Sequence, residues 1–243
     1  MSDSVPSTDP APWRPRRGAR LSVDVAADVV DRIVRGVLEP WTTLPNEAGL
    51  CDYYEVSRPV IREALKLVEQ KGLIRIRRGD GTTVLPKDEW MLLDADVLRI
   101  SLEMDSSGVL RRDVLTLRRD LEMGMIERAA GHLSLADFEE LDRMLDQMDA
   151  SDDWRDVQAL DDRIHRLMHR ASGNDVARAV VFQLVNEVRN LGALSFTREE
   201  YNESNASLRR VRDYLVAGDG KAAAAAMGEH IADNWFFGQY TDD

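Results

Sequence analysis

Residues 44–84, LPNEAGLCDYYEVSRPVIREALKLVEQKGLIRIRRGDGTTV, divide into a capped helix, a turn, a second helix and a glycine-tipped hairpin. Asn46 can cap the first helix through its side-chain oxygen. Pro45 stands just outside that helix, and Leu50, Tyr53 and Tyr54 give it an apolar side. Val56 fills the turn. Ser57 is the next N-cap, and Pro59 falls in a first turn where its missing N–H breaks no helical bond. Val60, Ile61, Ala64, Leu65 and Val68 then recur at helical spacing until Gly72. Leu73, Ile74 and Ile76 lead into Arg77-Arg78-Gly79-Asp80-Gly81-Thr82-Thr83-Val84, two β-branched or apolar runs around a tight glycine turn. Parts in this order make a winged helix-turn-helix, a fold that reads double-stranded DNA.

Arg58 and Arg62 lie four apart on one face near the start of the second helix, where a recognition helix presents side chains to guanine edges and phosphates in the major groove. The wing tip, about residues 79–81, offers close backbone approach, and Arg75, Arg77 and Arg78 supply positive charge. The candidate DNA contacts are Asn46, Ser57, Arg58, Arg62, Arg77, Arg78, Gly79, Gly81 and Thr82. The plainer alternative is a solvated basic hairpin.

A net charge of -12 looks wrong for a DNA binder until it is divided. Residues 1–84 carry 13 Lys and Arg against 12 Asp and Glu, whereas residues 85–243 carry 19 against 32. The acid belongs to the second part, which should repel nonspecific DNA and leave affinity to local arginines and to two copies acting together. The single Cys51 permits no intramolecular disulfide. No apolar run approaches a membrane span and the first 20 residues lack a signal-peptide core, so a cytoplasmic protein with no membrane partner is expected.

Four regions follow: a mobile arm over 1–21, a winged domain over 22–86, a linker and connecting helix over 87–108, and an all-helical domain over 109–240. Arginines 14, 16, 17 and 20 suit the arm equally to DNA contact or to a solubilising tail. From Ser22, Val25, Val29, Ile33 and Val37 form the stripe of an opening helix that stops at Pro40. After Pro86 the periodicity is helical throughout. A helix over 109–130 turns Leu110, Val114, Leu117, Leu121, Met125 and Ala129 inward, and Ser134 with Asp137 makes a capping box. Further helices are expected over 156–171, 175–194, 199–217 and 221–236. The fold class is mainly α: an N-terminal winged helix-turn-helix with a small β-hairpin wing, then an all-α antiparallel helical bundle.

LPNEAGL, VSRPVIREALKLVEQKGLI and RRGDGTTV resemble the signature of the GntR family of bacterial transcription regulators. The chain departs from that pattern at Ala48, where many members have arginine, and at the acidic Asp80 in the wing. Three further stretches stand in the order of the FadR-type C-terminal ligand-binding domain, the FCD domain: Leu117-Arg118-Arg119-Asp120-Leu121-Glu122, Asp161-Asp162-Arg163-Ile164-His165 with Ala171-Ser172-Gly173-Asn174, and Gly218-Asp219 through His230. The stretch from Asp88 to Arg99 resembles the linker of a subgroup of galactonate-type sugar-acid regulators.

Asp161 and His165, spaced i, i+4, project from one helix face and can grip a divalent ion, zinc above all. The resemblance implies two further histidines; His230 matches one, and the other position holds Leu208, which coordinates nothing. Two readings stay open: a metal held by Asp161, His165 and His230, with His169 one turn on as a possible substitute ligand, or a metal-free polar pocket. Arg118 matches the arginine that the family sets beside the metal, where a guanidinium clamps the carboxylate of an organic acid; its alternative is a surface ion pair with Glu122. The implied function is a ligand-responsive regulator that binds a palindromic operator as a homodimer and represses a sugar-acid or other carboxylate operon until a small organic acid releases it. A metal-dependent enzyme is the second class considered, although neither a nucleophile motif nor a phosphate loop is present, and a ligand-blind architectural DNA protein is the third.

Overall fold

The computed structural model describes residues 17–189 and 198–234, in a chain that divides into two units, Met1–Ile100 and Ser101–Asp243. In the first unit, α1 (Arg17–Val34) precedes α2 (Glu47–Tyr54) and α3 (Arg58–Gln70), which are followed by β1 (Ile74–Arg77) and β2 (Gly81–Val84). Helix α1 begins ahead of the expected Ser22, since Arg17, Ala19, Arg20 and Leu21 are all good helix formers. It buries Val25, Val29 and Ile33 as expected but ends at Val34, and Gly36 (φ 78) turns the chain so that Val37 is 66% exposed. Ile61, Ala64, Leu65 and Val68 of α3 pack with these residues and with Leu44, Leu50, Leu73 and Val84 in one core. Polar contacts brace it: the Tyr54 hydroxyl donates to Asp28 at 2.6 Å, and Arg32 donates to the same carboxylate at 2.7 Å.

Both caps read from the sequence occupy helix starts. Asn46 Oδ1 accepts from the Gly49 N–H at 2.9 Å, whereas Ser57 has the extended cap conformation without a side-chain cap bond. The strands pair antiparallel, with Ile74 opposite Val84 and Arg77 opposite Gly81; Gly79 (φ 94) and Gly81 (φ 90) make the turn. A 3₁₀ turn (Lys87–Glu89) and α4 (Ala95–Glu103) follow.

The second unit contains α5 (Val109–Ala129), α6 (Leu135–Ala150), α7 (Trp154–Ala171), α8 (Asp175–Arg189), α9 (Arg198–Val216) and α10 (Gly220–Asn234). Short connections join α6 to α7, α7 to α8 and α9 to α10, and the helices of each of these pairs pack together. Helix α10 lies against α5 and α9, α6 against α7 and α9, and α5 against α7 and α8. Small side chains let α10 come close to α5: a Cβ at Gly220 would stand 2.7 Å from the Glu127 carbonyl oxygen, and one at Gly228 2.7 Å from Met123 Sδ. Ser134 and Asp137 complete the capping box on α6.

Helix α5 corrects one expectation. Leu117 is 40% exposed, while Arg118 and Glu122 take the buried stripe with Val114, Met125, Ile126 and Ala129. The expected extensions of α8 to Leu194 and of α10 to Phe236 fall outside the described residues, as does most of the arm. No helix among the described residues is long and apolar enough to cross a membrane.

Gly72 ends α3 at φ 71, where a Cβ would lie 2.7 Å from the Glu89 carbonyl oxygen. Gly72→Ala combines left-handed strain with a backbone clash and should lower stability by at least about 1–3 kcal/mol. The check is the urea midpoint of the winged unit's unfolding, and an unchanged midpoint would contradict the turn geometry.

Candidate DNA-reading surface and effector pocket

The first two turns of α3 carry Arg58, exposed and with no ion-pair partner among the described residues, and Arg62, whose side chain is 63% exposed. Arg62 Nε donates to both Glu47 oxygens at 2.9 Å. That hydrogen bond, reinforced by the charges of Arg62 and Arg58, holds the Glu47 carboxyl below its ordinary range. Glu47 heads α2, so one helix start fixes the direction of an arginine on the next. On the wing, Arg77 ends β1 and Arg78 begins the turn, and both are exposed along with Gly79 and Gly81. Arg75 instead binds Glu89 at 2.5 Å.

Asn46, Ser57, Arg58, Arg62, Arg77, Arg78, Gly79 and Gly81 therefore all lie at or near the surface, although the Asn46 oxygen is engaged in its cap. Thr82 does not join them. It is 8% exposed, because β2 alternates and turns Thr82 and Val84 inward, and its carbonyl accepts from the Leu44 N–H.

In the second unit the polar stripe of α5 meets α7 inside the bundle. Glu122, fully buried, accepts from Arg118 Nε on Oε1 at 2.5 Å and lies against His165 Nδ1 at 2.5 Å and His169 Nε2 at 2.8 Å on Oε2. Burial pushes the Glu122 carboxyl up, but the Arg118 charge and the two imidazoles outweigh it and hold it well below the usual carboxylate range. The Arg118–Glu122 pair is thus neither a surface ion pair nor an unattached clamp.

The far side of His165 faces a second group. Its Nε2 lies 3.1 Å from His230 Nε2 and 3.8 Å from Asp161 Oδ1, and His230 Nε2 lies 3.5 Å from that same oxygen. The Ser207 hydroxyl donates to the Ser204 carbonyl at 2.7 Å and contacts His230 Nδ1, also at 2.7 Å. This arrangement makes Ser207 the acceptor for a His230 Nδ1–H. Glu122 likewise takes the Nδ1–H of His165. Both Nε2 atoms are then turned toward each other, which requires a positive centre, proton or metal ion, near them. Zinc bond lengths of about 2.0–2.2 Å at tetrahedral angles separate donors by about 3.4 Å, so the spacing of Asp161, His165 and His230 fits such an ion.

Electrostatics follow this layout. Burial draws His165 down, yet Glu122 and Asp161 overcome it and raise its pKa; for Asp161, burial opposes but His165, His230 and Arg118 lower its carboxyl overall. Burial keeps His230 and His169 low. His169 bonds Glu122 and belongs to the Glu122–His165 group, so it does not supply the absent fourth ligand. Leu208, at that position, is 1% exposed in the apolar core. Glu122, with three donors already on it, supports the site from behind.

Sequence reasoning named Asp161, His165, His230 and Arg118, and these side chains meet in one buried neighbourhood. It missed the roles of Glu122 and Ser207. A signal for Glu122 exists: Val114, Arg118 and Glu122 are spaced i, i+4, i+8, placing two opposite charges on a core-facing stripe. Nothing comparable marks Ser207. On the other side of Glu122, the group opens on a cavity between α5, α7 and α8, walled by Val181, Phe182 and Val185, with Asn186 as a neutral polar group.

Comparison with known proteins spans both units. The family "Bacterial regulatory proteins, gntR family" matches residues 21–84, and the FCD domain matches residues 113–233. The galactonate operon transcriptional repressor of Escherichia coli (strain K12) is 28% identical over 204 residues, covering 83% of this chain and 89% of its own. The Exu regulon transcriptional regulator of that strain is 26% identical over 232 residues, covering 92% and 87%. A solved structure described as Lar, which controls the expression of the Listeria monocytogenes agr system, superimposes with a TM-score of 0.51 at 18% identity over 88% of this chain and 94% of its own. That last likeness is one of fold.

Because Arg118 and Glu122 are buried together, removing Glu122 takes the nearest opposite charge from a buried guanidinium. Glu122→Leu should lower the stability of the second unit by about 3–5 kcal/mol, and adding Arg118→Met should restore much of it. Equal losses in the single and double variants on denaturant unfolding would refute a coupled pair.

Proposed function

The chain belongs to the gntR family of bacterial regulatory proteins and carries an FCD domain; from that premise we propose a ligand-responsive transcription repressor of a sugar-acid or related carboxylate operon, acting in the cytoplasm and released from its operator by a small organic acid. One observation carries the reading: the same chain holds exposed arginines on a recognition helix and wing, and a buried guanidinium–imidazole cluster opening on a cavity. The relatives named for galactonate and for the Exu regulon favour a sugar acid over other carboxylates.

Arg58, Arg62, Arg77 and Arg78 contact phosphates and base edges, with Ser57 and Asn46 at the two helix starts and Gly79 and Gly81 letting the wing backbone approach. Thr82 acts only by keeping β2 in register. One winged unit reads few base pairs, so a homodimer on a palindrome supplies the remaining affinity. The acid's carboxylate is bound near Arg118, and its carbon skeleton lies against Val181 and Val185. Asp161, His165 and His230 would hold a divalent ion, which would supply a Lewis-acidic anchor for oxygen ligands. Ligand binding shifts the DNA-binding equilibrium only by its difference in affinity between the two states of the dimer.

Fluorescence anisotropy on DNA from upstream of the chain's own gene tests this. Tight binding should be reversed by one sugar acid in a panel, and Arg58→Ala and Arg62→Ala should each weaken it about tenfold or more. Binding that no acid alters would favour the ligand-blind architectural reading, and turnover of a panel member would favour a metal-dependent enzyme. Zinc calorimetry should show affinity falling more than about tenfold in His165→Ala and in His230→Ala. Unchanged affinity in both would remove the metal.

A further inference from the structure

The cavity between α5, α7 and α8 is lined by four arginines, and three of them lie outside the Glu122 cluster. Arg118 is bound to Glu122, and Arg189 binds Asp162 through both Nη atoms. Arg166 of α7 is exposed, with no carboxylate within ion-pair distance among the described residues. Arg178 of α8 is 43% exposed and, among the described residues, pairs at 2.9 Å only with Asp175, whose side chain is 87% exposed, so solvent screens that pair. Arg166 and Arg178 also line an outer groove with Arg163 and Arg170, against a single carboxylate, Glu140. They therefore stand where the cavity opens to the surface. Such a concentration of positive charge runs against its background, since residues 85–243 are strongly acidic.

Charge balance says what the opening takes. Among the groups that line the cavity, Glu122 and Asp162 offset two of the four arginines, and Asp175, outside the lining and exposed, offsets Arg178 only through solvent, so the mouth presents two guanidinium forks side by side. A carboxylate offers two oxygens, enough for one fork and not for both. A phosphate monoester carries about -1.5 to -2 near neutral pH and accepts bidentate hydrogen bonds from guanidinium forks. We propose that Arg166 and Arg178 form a phosphate subsite at the mouth of the cavity, so that the preferred ligand is a sugar acid bearing a phosphate at the end remote from its carboxylate. The phosphate subsite stands on its own geometry, whereas the identity of the whole ligand rests on the organic-acid reading above. Within this arrangement the carboxylate lies inward and the phosphate outward, with the apolar wall between them.

The test uses the full chain and two sets of probes. Inorganic phosphate, exchanged for chloride at constant ionic strength, should raise the melting temperature saturably, and the double variant R166Q/R178Q should lose that rise while melting like the unmodified chain without phosphate. Calorimetry should then show 6-phosphogluconate binding at least about tenfold more tightly than gluconate, with the double variant binding both alike. Phosphate behaving as chloride does, or a phosphate effect that survives in R166Q/R178Q, overturns the subsite. Phosphate binding without either acid keeps the subsite and overturns the organic-acid reading. Gluconate binding as tightly as its phosphorylated form, or a dicarboxylate more tightly, keeps the organic-acid reading and overturns the subsite.

Discussion

A single buried carboxylate organises the second unit. Glu122 sits inside the bundle with a guanidinium on one oxygen and two imidazoles on the other, and no solvent competes for it. Desolvating a lone carboxylate is prohibitive, so its position requires those donors to be held in place. That requirement works in both directions. Glu122 keeps Arg118 inside the bundle and assigns the proton of His165 to Nδ1, which turns the other ring nitrogen toward His230 and Asp161. Through Ser207, His230 receives the matching tautomer. The donor set on the α10 side and the cavity on the α8 side are two consequences of one hub.

The two units divide the electrostatic work. Residues 1–84 are almost neutral overall, and their useful charge is local: Arg58 and Arg62 on α3, Arg77 and Arg78 on the wing. Glu47 fixes the direction of Arg62, whose single Nε–H is shared between both carboxylate oxygens. Residues 85–243 carry the excess acid, yet concentrate arginines around one cavity. The unit is thereby poor at holding DNA nonspecifically and well suited to a small anion.

The sequence made the winged unit legible because its elements are locally encoded. Asn46 and Ser57 mark two helix starts, the α3 stripe has one period, and the glycines at 79 and 81 force the hairpin. It erred where local pattern yields to packing. Val37 fits the α1 stripe but falls beyond Gly36, and Thr82 looks like a wing contact but shares the inward face of Val84. In α5, reading every leucine as core placed Leu117 inside, when the buried positions belong to Arg118 and Glu122. Spacing paired Asp161 with His165, and family resemblance supplied His230. The Glu122 hub and the Ser207 contact join residues far apart in the chain, and no periodicity reports such pairings. Leu208 occupies the position of an expected ligand and is instead part of the apolar core.

The chain has four histidines, so each imidazole can be followed individually. The most direct test of the account is long-range proton–nitrogen NMR of those rings before and after zinc is added. With zinc, His165 and His230 should both carry their proton on Nδ1, the metal-induced shift should appear at their Nε2 atoms, and His169 should keep its Glu122-bound character. A metal shift at His169, or proton placement on Nε2 of His165 in the zinc-bound state, would contradict an assembly directed by Glu122.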